Sequence, residues 1–253
     1  MACGRYLSSE EHRSRAGKPN TEFRDWYDYP DRALPELLVE TFLDGGEVAG
    51  ALTVNRYGAT ILNTARLAIV DVDLPRDNPG VGGLFRALFG KKKAEASSPR
   101  DQRIESVAAW VRAGGGRGAR VYETAGGLRH ILLGEAMDPC ADDTRRVLRG
   151  LDADPIYARL CKGQRCYRAR LTPKPWRVGM NDPHLNYEKL TSIDPGMKQR
   201  VDAWFESYEQ ASAGFGVCRL VETFGREPSD EITMRLVREH DEATIRGDNA
   251  RLV

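Results

Sequence analysis

The spacing of apolar residues changes several times along this chain, and each change predicts an element. Ala51-Leu52-Thr53-Val54 and Ala59-Thr60-Ile61-Leu62 flank Asn55-Arg56-Tyr57-Gly58, the pattern of two strands joined by a hairpin turn. Arg66 to Asp73 is almost continuously apolar until it ends, which predicts a central strand covered on both faces. Ile104, Val107, Ala108 and Val111 recur at helical spacing, and Gly114-Gly115-Gly116 ends that helix. Arg120 to Thr124 and Leu128 to Leu133 read as strands joined by Gly126-Gly127. A second helix is expected from Asp142 to Leu151, capped by Asp142 or Asp143. Further on come a helix over Pro195–Gln210, a strand over Val217–Thr223 and a charged helix over Glu231–Arg246. Nearer the start, Leu34 to Phe42 predicts a short helix, opened by Pro35 and closed at Gly45-Gly46. Residues 1 to about 30 read as an ordered arm, because Trp26, Tyr27 and Tyr29 favour burial. Residues 75–102 are the least structured stretch, with one apolar helical turn expected over Leu84–Phe89.

Composition narrows the class without naming a function. The chain has 253 residues, 41% hydrophobic and 30% charged, which suits a globular protein with a sizeable core. No stretch approaches ~20 apolar residues, so no membrane partner is expected. The polar N-terminus predicts a cytoplasmic protein. Five irregularly spaced cysteines do not read as a disulfide framework. Net charge is only +1, yet Arg145 to Arg177 holds ten basic residues against Asp152 and Asp154. That local excess predicts either a phosphate-facing surface or a solvated face balanced by acids elsewhere.

The chemistry centres on Val70-Asp71-Val72-Asp73. On a strand Asp71 and Asp73 share one face, roughly 7 Å apart, where their charges repel unless a cation sits between them. Mg²⁺ or Mn²⁺, which prefer oxygen ligands, would meet that need; two solvated loop carboxylates are the plain alternative. His130 follows a glycine pair whose backbone either approaches a phosphate or makes a tight turn. Arg129 points to the opposite face from His130 in a regular strand. Arg168 and Arg170 share a face, with Lys174 beyond Pro173, and together suit a phosphate clamp or a charged edge strand. Tyr167 and Trp176 interleave with these charges and either stack on bases or belong to the core.

The order of these segments resembles the archaeo-eukaryotic primase superfamily over residues 48–177. Its Asp-x-Asp motif is similar to Val70–Asp73, and its glycine turn with a histidine-bearing strand to Thr124–His130. Its third acid is matched by Asp154 or Asp152, and the basic stretch after it by Arg168 to Lys174. Leu128 stands where the family has a small hydroxyl residue, and small Ala153 precedes Asp154 where the family has a strongly apolar residue.

The resemblance implies an α+β fold: a primase-polymerase-like core with a central mixed or antiparallel sheet flanked by helices. It implies a catalytic core over residues 48–177; the residues before it read as an arm and short helix over 1–47, and those after it as a helical extension over 178–253 packing on the core. It further implies metal-dependent nucleotidyl transfer, with Asp71, Asp73 and Asp154 holding Mg²⁺ or Mn²⁺ and acting as the catalytic set. His130, Arg168, Arg170 and Lys174 would bind the nucleoside triphosphate, with DNA or RNA as partner. Asp71→Asn is then expected to abolish activity and spare the fold. The departures at Leu128 and Ala153 favour the alternative, a catalytically inactive primase-like module that binds nucleotide or nucleic acid. A phosphohydrolase using Asp71 as nucleophile ranks below both, because no later lysine-bearing and diacidic motifs accompany it.

Overall fold

A computed structural model of the chain describes residues 36–75, 97–183, 185, 195–247 and 249–253. The arm over residues 1 to about 30 and the turn expected over Leu84–Phe89 lie outside the described residues. Among the described residues the fold is α+β, with two four-stranded antiparallel sheets and five α-helices. No described helix is long and apolar enough to cross a membrane.

The first sheet has the order β1 (Leu37–Asp44), β2 (Glu47–Val54), β3 (Thr60–Thr64), β7 (Tyr167–Arg170). Its first strand corrects the helix expected over Leu34–Phe42. Gly45 and Gly46 both take positive φ, at 58° and 88°, and turn β1 back onto β2 as a hairpin rather than closing a helix. The β2–β3 hairpin is where the sequence places it. The Asn55 carboxamide oxygen accepts from the backbone N–H groups of Tyr57 and Ala59, and Gly58 takes φ 86°. A side chain at Gly58 would also strike Trp204, 2.5 Å from where its Cβ would lie.

The second sheet has the order β4 (Ala68–Asp73), β6 (Gly127–Leu133), β5 (Gly118–Thr124), β9 (Cys218–Gly225). The expectation of a central β4 is corrected: this strand is paired on one side only, with β6. It is nonetheless buried, because helix α3 (Pro155–Gln164) covers its other edge. The Tyr157 hydroxyl donates to the Ile69 carbonyl at 2.9 Å, and the Asp154 N–H to the Asp71 carbonyl at 2.8 Å. The same hydroxyl accepts from the Arg168 N–H on β7, so one tyrosine links the facing edges of the two sheets. The single central sheet expected from sequence is thus two sheets meeting edge to edge.

Helix α1 (Pro99–Arg112) opens with Ser98 as its cap and packs on β5, β6 and β9. Helix α2 (Asp142–Gly150) has Ala141 at its N-cap position, with no side-chain cap, which corrects the expected role of Asp142 or Asp143. Helix α4 spans Pro195–Ser212 and α5 Glu231–Thr244; short strands β8 (Phe215–Gly216) and β10 (Arg251–Leu252) pair in parallel. Helix α5 touches both sheets: Leu236 fits against Gly50 of β2, while the His240 ring meets Tyr122 of β5 at 4.8 Å. Residues 178–253 therefore supply β9 to the Asp71-bearing sheet as well as helices.

A two-walled cleft between the sheets as candidate functional site

Where the edges of β4 and β7 meet, the chain leaves a cleft of about 540 Å³. One wall is acidic: Asp71 and Asp73 at the end of β4, and Asp154 at the start of α3. The other is mainly basic: Arg56 from the β2–β3 turn, Arg168 and Arg170 from β7, then Lys174 and Arg177, with Glu36 beside Arg168. The structure thus brings together six of the seven residues expected from sequence, the three aspartates with Arg168, Arg170 and Lys174. It places the two candidates for a third acid differently. Asp154 lines the cleft, whereas Asp152 faces Arg103 of α1 at 3.5 Å.

His130 is the residue left out. It lies on β6 opposite Val70 and Val121, on the sheet face away from Asp71, and it is fully buried. Neither ring nitrogen has a hydrogen-bond partner among the described residues, and burial pushes its pKa down to about 4. A neutral imidazole in the core does not reach a phosphate in the cleft.

The position on β6 that does face Asp71 belongs to Arg129. Its Nε donates to one Asp71 oxygen at 2.7 Å and an Nη to the other at 3.2 Å. Its second Nη donates to the Arg170 carbonyl at 3.1 Å and lies 3.4 Å from the His240 Nε2. Burial opposes the Arg129 charge, and the adjacent Asp71 carboxylate outweighs it, so the guanidinium stays protonated. His240 is held neutral by burial, and its Nδ1 lies 2.9 Å from the Asp241 carboxylate. The proton therefore belongs on Nδ1, leaving Nε2 to accept from Arg129. Asp241 in turn binds Arg120 at 2.6 Å, so a continuous polar chain runs from the cleft into the protein.

The carboxylates consequently have occupations of their own. Both oxygens of Asp71 accept from Arg129, and both oxygens of Asp154 accept from backbone N–H groups, those of Ile156 and Tyr157. A fixed guanidinium against Asp71 competes with any divalent cation for that site. No group of three metal-ligating side chains converges among the described residues. As arranged, Asp71 and Asp154 would each have to release a present partner to ligate a metal ion. Asp71→Asn would remove the charged partner of a buried arginine, so it is expected to cost stability as well as any activity.

The basic wall is also differentiated. Arg168 is engaged by Glu36 at 2.5 Å and Gln164 at 3.0 Å, so it shapes the wall. Arg170 keeps one Nη on the Thr172 carbonyl. Its pKa is lowered by burial and then by neighbouring Arg129. Lys174 is lowered by burial and then by Arg170 and Arg177, with Asp73 opposing. Crowded cations of this kind are relieved by an anion placed among them. The glycine turn borders the cleft through Thr124, Ala125 and Gly126, with its N–H groups engaged locally. The N–H groups of Gly126 and Gly127 approach the Thr124 hydroxyl, and a Cβ at Gly127 would lie 1.9 Å from the Val72 carbonyl oxygen. Close approach of β4 explains the glycine there.

The sequence places Arg129 on the face opposite His130, as found, but assigns it no part in the site, and His240 and Tyr57 were missed altogether. For Arg129 the signal existed, since pairing β4 with β6 places opposite charges directly across the strands. No protein-family model, curated protein or solved structure matches the chain.

Proposed function

We propose that this chain is a primase-like binding module that takes a nucleotide or nucleic acid into the cleft by its phosphates. The observation that carries the reading is that Arg170, Lys174 and Arg177 line one cleft, where burial and then neighbouring guanidinium groups lower the pKa of Arg170 and of Lys174. Phosphate oxygens satisfy such a cluster, through bidentate contacts to guanidinium and a point charge on lysine. Asp71 serves this module structurally, holding Arg129, and Arg129 supports the Arg170 backbone.

A second reading, nucleotidyl transfer, is favoured by the presence of Asp71, Asp73 and Asp154 in the lining of the same cleft as the cations. One pair of experiments separates the two. A nucleoside triphosphate at about 100 times its Kd stabilises the protein by ~2.7 kcal/mol, a Tm rise of roughly 5–10 °C. The module predicts this rise without added metal, lost in Lys174→Ala combined with Arg177→Ala. Primer extension that needs Mg²⁺ or Mn²⁺ and disappears in Asp73→Asn would replace the module by a nucleotidyltransferase. No Tm rise with or without metal would sink both.

A further inference from the structure

At the rim of the cleft an exposed tryptophan sits on a rigid turn between two cations. Trp176 lies in the 3₁₀ turn Pro175–Arg177, flanked in sequence by buried Pro175 and by Arg177, with Lys174 just before. The turn is closed by backbone bonds from Arg177 to Lys174, Val178 to Pro175 and Met180 to Pro175, all between 2.8 and 3.0 Å. Trp176 remains 52% exposed, a costly position for the largest apolar side chain. Its ring meets Tyr57 edge to face at 5.3 Å, and the Lys174 ammonium lies 5.5 Å from the ring centre. Tyr57, Lys174 and Arg177 line the cleft, and Trp176 adjoins it by packing on Tyr57 and Lys174.

We infer that Trp176, supported by Tyr57, is a stacking platform for the nucleobase whose phosphates engage Arg170, Lys174 and Arg177. The inference rests on the phosphate-binding reading and names its ligand class: a base joined to a phosphate chain, free or within a single strand. An indole held in place by a proline-anchored turn loses little entropy on stacking. Base–aromatic stacking is sequence-tolerant, because every base offers a π-face. Lys174 serves both parts, polarising the indole from one side while facing the cleft.

The test compares ligands with and without a base. Inorganic tripolyphosphate, a nucleoside triphosphate and a short oligothymidylate are titrated calorimetrically into the parent protein, Trp176→Ala and Trp176→Phe. Trp176→Ala is expected to lose affinity for the two base-containing ligands roughly tenfold or more, with tripolyphosphate unchanged. Trp176→Phe should recover much of the loss, which a merely local structural role would not predict. The nucleoside triphosphate and the oligothymidylate separate a mononucleotide site from a single-strand site by which of them responds more. Equal affinity of parent and Trp176→Ala for the base-containing ligands overturns the platform while leaving the phosphate site standing. No binding of tripolyphosphate or of either base-containing ligand overturns the phosphate site itself.

Discussion

Two neighbouring residues of β6, on opposite faces of the second sheet, carry opposite energetic stories. His130 is buried with neither ring nitrogen paired among the described residues, and it resists protonation, with a pKa of about 4. Because the folded value lies below the ~6.5 of an unfolded chain, its contribution to stability is intact above ~6.5 and lost as pH falls through 4. The difference corresponds to about 3 kcal/mol. His130→Leu should therefore flatten the acid limb of stability, and at neutral pH should be neutral or stabilising by about 1 kcal/mol. Urea unfolding of parent and variant between pH 7.5 and 4 reads this out; His240 acts with the same sign but is common to both proteins. Parallel curves would refute the account. Arg129 behaves oppositely, since its buried charge depends on Asp71. Arg129→Met is expected to cost about 3 kcal/mol and Asp71→Asn a similar amount. The double variant should cost clearly less than the sum. Additivity in that cycle would show the pair to be uncoupled.

At the scale of elements, Asp154 decides how α3 begins. Its carboxylate accepts from the Ile156 and Tyr157 N–H groups while its own N–H holds the Asp71 carbonyl. Asparagine caps a helix about as well as aspartate, so Asp154→Asn should leave Tm nearly unchanged, whereas Asp154→Ala should cost about 1 kcal/mol. A large loss in Asp154→Asn would mean that the charge, not the cap, matters for the fold. Elements with a clear period were legible in the sequence: the β2–β3 hairpin, β4, α1 and the two strands either side of Gly126-Gly127. What misled was ambiguity of single signals. Gly45-Gly46 serves equally as a helix stop or a hairpin turn, and pairing with β2 decided for the turn. The continuous apolar run of β4 does mean burial on both sides. Part of its cover, however, is Tyr157 and Asp154 of a later segment, which no local pattern announces. The acidic and basic halves of the cleft were legible as residue types. Their mutual engagement was not, because Arg129 and His240 meet only through the register of β4 on β6 and the packing of α5.

The whole molecule carries a net charge of +1, so attraction of a polyanion must come from the cleft rather than from a general field. This makes the salt dependence of binding diagnostic. Three or four cations contacting phosphates, drawn from Arg56, Arg170, Lys174 and Arg177, predict a slope of log affinity against log salt of roughly −2 to −3 for a single strand. Lys174→Ala should make that slope shallower by about 0.7, since one counterion-releasing contact is removed. Lys198→Ala should leave it unchanged, because that lysine lies on α4, outside the cleft, and is paired with Asp202. Trp176→Ala should lower affinity at every salt concentration with the same slope, because stacking releases no counterions. Titrations of oligothymidylate between 50 and 300 mM salt separate these behaviours. A parent slope near zero would place the ligand elsewhere. A Trp176→Ala slope that moves with that of Lys174→Ala would mean that the tryptophan acts only by positioning its charged neighbour.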